Sequence, residues 1–546
     1  MKFVVLLTVL LATTAAQAKI TDVDLKRDTQ VLSSDAFEGR KPGTPGGDKA
    51  VAYIVQRMQQ IGLKPGNHGK WTQDVPLVTI TAKPSTAGLT IEGGAAPIAL
   101  KFVDEEVIWT RHEQPHVALK KSPLVFVGYG VVAPEHNWND YAGLDMHGKT
   151  AVILVNDPDW RSTDLKGDFG GRAMTYYGRW IYKFEEAARQ GAAGAIIIHQ
   201  TEPAAYPFSV VVTSNSVAKQ HLATTDKGAS RTTIEGWITK PASDRLFAAA
   251  GLDFAALEAA AARSGFKAVP MGALTASASL DNTVAYAASQ NVVGILPGTS
   301  RPKETVLYTA HWDHLGRCPA DTTGDDICNG ALDNASGVAG LLTLATEAKH
   351  DTPTARSQLF IAVTGEESGL LGSQYYAEHP IYPLGLTAGG VNMDVLSVKG
   401  RTRDVTITGV GKSEVEPMFT AIAAKQGRVV DPEASPEKGS YYRSDHFSFA
   451  KVGVPMVAAT SGTDVIGKDP AHDGKAYGKS LAADYVANRY HQPSDQYNPD
   501  WDWSGAVQDL EAYYSFNHAL ANSSAWPNWY PAAEFRAVRD KSRAGL

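Results

Sequence analysis

Short unbroken apolar runs recur along the chain, and each ends at a glycine or at a residue able to bind a metal or move a proton. Thr305-Val-Leu-Tyr-Thr-Ala310 runs into His311, Leu359-Phe-Ile-Ala-Val-Thr364 into Gly365 and two glutamates, and Gly390-Val-Asn-Met393 into Asp394. Runs of this length without polar alternation predict strands buried on both faces, as in parallel sheets covered by helices. Ser336-Gly-Val-Ala-Gly-Leu-Leu-Thr-Leu-Ala345 predicts a helix between the first two of them. Nearer the start, Ala50, Tyr53, Ile54, Met58 and Ile61 fall at helical spacing within Asp48–Leu63. The preceding Gly39-Arg-Lys-Pro-Gly-Thr-Pro-Gly-Gly47 forbids a continuous element and reads as a loop. Segments from Val75 to about Val107 alternate as strands do and are assigned to the same unit.

From about Val117 the pattern changes. Leu124-Val-Phe-Val127 precedes Gly128-Tyr-Gly130, and Gly148-Lys-Thr-Ala-Val-Ile-Leu-Val155 ends at Asn156-Asp-Pro158. A helix over Lys183–Gln190 then leads into Gly191-Ala-Ala-Gly-Ala-Ile-Ile-Ile198, and Phe254-Ala-Ala-Leu-Glu-Ala-Ala-Ala-Ala262 predicts a further helix. Gln290-Asn-Val-Val-Gly-Ile-Leu296 re-enters the first sheet, and a closing helix is expected around Gly505–Asn522. The expected fold class is α/β: a mainly parallel mixed sheet flanked by helices, interrupted by a smaller α/β unit. The segments expected are 1–18 (signal), 19–116 and 276–546 (main unit) and 117–275 (insertion).

Composition adds compartment and excludes some partners. Lys2, the apolar run Phe3-Val-Val-Leu-Leu-Thr-Val-Leu-Leu-Ala12 and Ala16-Gln-Ala18 have the form of a secretory signal, too short to span a membrane. No cysteine follows the expected cleavage point, so no lipid anchor is expected there, and no later run approaches ~18 apolar residues. A soluble protein exported to the periplasm or the medium is the expectation. The net charge of −7 is mild for 546 residues, and no basic stripe argues for nucleic acid. Cys318 and Cys328 are the only cysteines, and in an exported chain they are expected to be joined.

Five segments carry candidate chemistry: Ala-His311-Trp-Asp313, Leu-Asp333-Asn334, Gly-Glu366-Glu367, Asn-Met-Asp394 and Arg-Tyr490-His491. A lone His-x-Asp is more often a hydrogen-bonded pair, and Glu-Glu in a loop is usually solvated surface. Three such segments at the ends of apolar strands are not, because ligands bind at the carboxyl ends of strands in open α/β sheets. Imidazole and carboxylate groups suit zinc, and a catalytic site leaves a position for water. His311, Asp333, Glu367, Asp394 and His491 would hold two Zn²⁺ ions, other divalent metals being compatible. Glu366 is then left as the base. A His-Glu-x-x-His helix is absent: His311-Trp-Asp-His314 has the wrong spacing and no internal Glu, so His314 is expected in a loop or behind the ligands. Asp495, four residues past His491, either orients that imidazole or caps the next segment.

Together these residues resemble peptidase family M28, the zinc aminopeptidase and glutamate carboxypeptidase group, over roughly Thr305–Tyr497. The resemblance implies that Asp333 bridges two metals, that the following Asp333–Asn334 peptide bond is cis, and that Asp313 supports His311 from behind. It also implies Glu366 as catalytic base and Tyr490 as an aid in polarising the scissile carbonyl. Asp445 and His446, in Arg-Ser-Asp-His-Phe, resemble a family segment near the pocket and receive no ligand role. The segment 117–275 resembles the protease-associated domain often inserted in such enzymes. The implied function is a di-zinc exopeptidase acting on peptides, an aminopeptidase first. A carboxypeptidase, with Arg443 as the cation for a substrate carboxylate, is the alternative. A glutaminyl cyclase-like acyltransferase and a non-catalytic binding protein are further ones.

Overall fold

The computed structural model describes residues 20–409, 411–467 and 473–546; the expected signal segment 1–18 lies outside them. Four parallel neighbours form the centre of the main sheet: Arg356–Val363, Arg301–His311, Thr387–Asn392 and Met456–Ser461. Their apolar runs are buried on both faces. Val306, Tyr308 and Ala310 point into one cluster with the helices Asp22–Leu32, Pro45–Ile61, Gly337–His350 and Ser504–Asn522. Leu307, Leu359 and Ile361 point into a second cluster, with Tyr376 and Phe449. The period of two along each strand therefore feeds two cores, which is why these runs show no polar alternation. Pro45–Ile61 begins at Thr44, whose hydroxyl accepts from the Gly47 amide, carries Pro45 in its first turn, and stops at left-handed Gly62.

Antiparallel strands extend this sheet. Val269–Leu296 pairs with Arg356–Val363 through Val292–Leu296 and with Thr72–Ala82 through Asn282–Val292. Its first half belongs to another sheet, pairing with Gly88–Glu92 and His116–Phe126. That second sheet has its own parallel centre: His116–Phe126, Thr150–Leu154, Gly194–His199 and Ile234–Thr239. Val152 and Ile196 pack in one apolar cluster there, apart from Ile361.

The sheet boundaries differ from the expected segment boundaries. Gly88–Glu92 and Glu106–Trp109, placed by sequence in the main unit, pair within the second sheet. Conversely Lys219–Leu222, inside 117–275, pairs with Thr72–Ala82 of the main sheet. Alternation marks a half-buried strand but not its partner, which only tertiary packing selects. Aromatic rings close the seam between the two sheets: Tyr176 lies 5.1 Å from Phe447 and 6.3 Å from Phe535. Lys451 pairs with Glu185 across it at 2.9 Å. Among the described residues, no helix is long and apolar enough to cross a membrane.

The loop read from Gly39–Gly47 holds a structural anchor. Arg40 is 1% exposed, and its guanidinium donates to the carbonyls of Leu32, Trp312, Asn329 and Gly330 at 2.6–2.9 Å. It thereby ties the first helix to the two loops that carry His311 and Asp333. Stranded buried acceptors cost ~1–3 kcal/mol each, less whatever relaxation recovers. Arg40→Met should therefore lower the unfolding free energy by roughly 3–5 kcal/mol, read as a lower denaturant midpoint with an unchanged slope. A loss under ~1 kcal/mol would show that the four carbonyls find other donors.

Candidate metal centre

Four of the candidate residues end or follow strands at the carboxyl edge of the parallel sheet. His311 is the last residue of Arg301–His311, Glu366 and Glu367 follow Arg356–Val363, and Asp394 follows Thr387–Asn392. Asp333 sits in the tight turn that opens Gly337–His350, and its peptide bond to Asn334 is cis, as the resemblance implied. His491 and Val395 have positive φ, 60° and 58°. For β-branched Val395 that is an outlier of the kind that clusters at functional sites.

The side chains converge on Asp333. One of its carboxylate oxygens lies 3.4 Å from His311 Nε2, and the other lies 3.4 Å from His491 Nε2. On the first side, His311 Nε2 is also 3.4 Å from Asp394 Oδ1. On the second, His491 Nε2 is 3.0 Å from Glu367 Oε2. Despite these short approaches His491 Nε2 is buried and makes no aligned hydrogen bond. Donor atoms that crowd together without pointing an N–H at one another suit a shared cation better than a hydrogen-bonded network. His311, Asp333 and Asp394 form one group whose donor atoms lie within 4.8 Å of each other, and His314, Asp333 and Glu367 form a second sharing Asp333. The ligand types and the shared carboxylate therefore fit a pair of divalent ions.

His314, expected in a loop or behind the ligands, lies in the loop after His311 and supports Glu367. Its Nδ1 lies 2.6 Å from Glu367 Oε1, so it fixes that carboxylate and leaves Oε2 toward His491. Asp313 differs from expectation. Its backbone carbonyl, not its carboxylate, takes His311 Nδ1 at 3.2 Å; the carboxylate is 3.8 Å away. The carboxylate instead accepts the amides of Glu366 at 3.1 Å and Glu367 at 3.4 Å, setting the turn that presents both acids. Burial pushes the Asp313 carboxyl up to about 6 against these hydrogen bonds and the His311 charge.

Supporting contacts complete the cluster. Asp495 accepts the backbone amides of Leu332 and Asp333, both at 3.1 Å, so it steadies the turn that carries Asp333 rather than the His491 imidazole. Asn334 donates to the Met393 carbonyl and accepts from Gly337 and Val395, joining the Asp333 turn to the Asp394 turn. Ser444 donates to Asp394 Oδ2 at 2.6 Å. Asp445 takes a hydrogen bond from Ser373, while His446 packs against the Tyr441 ring and is held neutral, burial lowering its imidazole to about 4. Sequence reading missed Arg40, Ser444 and the side-chain role of Asn334, which it named only for its peptide bond to Asp333. The adjacency of Asn334 to Asp333 and of Ser444 to Asp445 was the only signal.

A cleft of about 270 Å³ opens on this cluster, lined by Asp333, Glu366, Asp394, Tyr490, Arg443 and His446 among others. Tyr490 stacks on His491, with ring centroids 3.8 Å apart, and stays 44% exposed at the rim. Burial pushes the Glu366 carboxyl well above the usual range; the His311 charge opposes this, and Asp394 and Glu367 add to it. Burial also raises Glu367, but the imidazoles of His314 and His491 outweigh it and hold that carboxyl below its ordinary value.

The sequence profile of peptidase family M28 matches residues 291–515, the stretch that contains every residue of this cluster. Residues 291–515 belong to peptidase family M28. A probable zinc metalloprotease of Pyrenophora teres f. teres is 42% identical over 87 residues, 16% of this chain and 18% of that protein. An aminopeptidase of Bacillus subtilis (strain 168) is 37% identical over 92 residues, 17% of this chain and 18% of that protein. The aligned stretch thus spans under a fifth of either relative. Among solved structures, the chain is similar to the aminopeptidase from Aneurinibacillus sp. strain AM-1, at 22% identity and a TM-score of 0.47, covering 93% of this chain and 96% of that one. It is also similar to a zinc aminopeptidase from Bacillus subtilis, at 18% identity and a TM-score of 0.41, covering 92% and 96%.

In the M28 segment the loop before Asp333 is closed by a disulfide between Cys318 and Cys328, the pair expected from the sequence to be joined. Asp495 gives the clearest test of the support around Asp333. Removing such partners typically costs 10–100-fold in metal affinity. Asp495→Ala should weaken zinc binding by about that factor in competition with a chelating dye, with little change in far-ultraviolet dichroism. Unchanged affinity would show that the turn holds itself.

Proposed function

We propose that the chain is a di-zinc exopeptidase, acting first as an aminopeptidase on peptides. The observation that carries this reading is the Asp333 carboxylate, flanked on its two oxygens by His311 and His491 at 3.4 Å each. His311 and Asp394 would hold one ion and Glu367 and His491 the other, with Asp333 shared and His314 steadying Glu367. Bound zinc would supply Lewis acidity, bringing the pKa of a water toward neutrality and polarising the scissile carbonyl. The relatives named zinc metalloprotease and aminopeptidase support metal and reaction alike.

Glu366 is the one carboxylate in the cleft outside both ligand groups. It would accept the proton of the attacking water on a carboxylate oxygen and deliver it to the departing amine nitrogen. Asp313, by fixing the Glu366 and Glu367 amides, keeps base and ligand from exchanging places. The Tyr490 hydroxyl, at the rim of the same cleft, would donate to the oxyanion as it develops. The second α/β sheet, taken as protease-associated, would wall the cleft and carry no chemistry. Export is supported by the Cys318–Cys328 disulfide, which suits an oxidising compartment.

Peptides with a free amino terminus should lose residues one at a time from that end, and N-blocked peptides should not be cut. Glu366→Gln should retain its zinc and its fold while losing turnover by roughly 10²–10⁴-fold. Near-wild-type turnover in that variant, or release from the carboxyl end, would overturn the assignment.

A further inference from the structure

Arg443 lines the cleft beside Glu366, Asp333 and Asp394, and it also lines an adjoining cavity of about 200 Å³. The second charged wall of that cavity is Arg179, from the other sheet's side of the seam. Among the described residues neither guanidinium has a carboxylate partner. Arg443 spends one N–H on the Lys438 carbonyl at 2.9 Å, and Arg179 makes no side-chain hydrogen bond. Their neighbours in the cavity include Trp180, Tyr206 and Trp237, which carry no negative charge.

Arg443 is exposed to solvent, so the electrostatic cost of this arrangement falls on half-buried Arg179. Two guanidinium groups facing one small space repel each other, and burial and the Arg443 charge together lower Arg179 to about 10. Arg179 is moreover the residue before the helix Trp180–Arg189, whose first turn presents the positive end of the helix dipole. Several other half-buried arginines of the chain face acids, as Arg231 faces Glu235 and Arg57 faces Asp28. The position of Arg179 is also set by close packing. A Cβ on Gly439, where φ is +60°, would stand 3.3 Å from Arg179 Cδ and 2.9 Å from Met174 Sδ. Bare backbone at 439 lets the arginine stem lie against the loop that carries Arg443.

We propose that Arg179 and Arg443 form a carboxylate-binding subsite that gives the enzyme a preference for anionic short peptides. The inference rests on the peptidase reading and adds its substrate class. The cleft bears Asp333, Glu366 and Asp394 together with Arg443, and the neighbouring cavity that shares Arg443 bears Arg179. A short peptide is polarised in the complementary sense, with an ammonium at one end and a carboxylate further along. Planar guanidinium forks match a carboxylate in two parallel hydrogen bonds, and they do so best where water is partly excluded. The carboxylate has two sources, the free C-terminus of a di- or tripeptide or an acidic side chain next to the cleaved bond.

The test uses dipeptide analogues whose peptide bond is reduced to a methyleneamine, so that binding is read without turnover. Isothermal titration compares reduced Leu-Ala as the free acid, reduced Leu-Ala as its C-terminal amide, and reduced Leu-Glu as its C-terminal amide. At least one carboxylate probe should bind about 10- to 100-fold more tightly than the neutral amide, and which one does so identifies the source. Arg179→Met and Arg443→Gln should each remove that preference, weakening the carboxylate probe far more than the neutral one. Arg179→Lys and Arg443→Lys should keep part of it, and they serve wherever the neutral variant lowers the melting temperature. Equal binding of all three probes, no binding of any, or a preference that survives both neutral variants would overturn the subsite. Failure of unmodified Leu-Ala to release leucine, with the binding preference intact, would instead overturn the aminopeptidase reading alone.

Discussion

Four carboxylates, Asp333, Glu366, Glu367 and Asp394, are held in one cleft at the edge of a parallel sheet, and their mutual repulsion is the constraint around which the site is built. Burial alone drives Glu366 strongly toward its neutral form. His311, His314 and His491 offset part of the negative charge, each within 3.4 Å of an acid. Divalent cations shared through Asp333 would complete the balance and turn a destabilising cluster into a reactive one. The surrounding hydrogen bonds have a common purpose in this light. Asp495 holds Asp333 through two backbone amides, Asp313 holds both glutamates in the same way, and Ser444 holds Asp394.

The scaffold supplies rigidity at the points where that repulsion would otherwise spread the loops. Strands buried on both faces end at His311, before Glu366 and before Asp394, so each side chain starts from a fixed place. Arg40 fastens the His311 and Asp333 loops from beneath through four carbonyls. The second sheet contributes positive charge where the first concentrates negative charge. Arg179 lines a cavity that shares Arg443 with the cleft bearing Asp333, Glu366 and Asp394.

Much of this was legible in the sequence, for identifiable reasons. Unbroken apolar runs such as Leu359–Thr364 allow few structures other than a doubly covered strand, and the residue that ends each run must then lie at the sheet edge. Five ligand-type segments in the order His, Asp, Glu-Glu, Asp, His therefore pointed to the cluster. What the sequence hid depends on approach through space. Alternation in Gly88–Glu92 could not reveal that its partner was the first half of Val269–Leu296. His314 could be read only as a loop residue or one behind the ligands, because its distance to Glu367 is set by where two strands end, 53 positions apart. Asp313 was found, but its carbonyl and carboxylate do two different things, and residue spacing does not separate them. Arg40 left no signal, since its partners are backbone carbonyls that any sequence supplies.

Metal stoichiometry tests the central claim most directly. Protein purified in zinc-containing buffer and freed of loosely held ions should carry two zinc ions per chain by inductively coupled plasma mass spectrometry, and Asp333→Ala should lose both together. Anomalous scattering should place the pair ~3.5–4 Å apart on either side of the Asp333 carboxylate. One ion per chain, or two that survive the loss of Asp333, would contradict a centre built on that shared carboxylate.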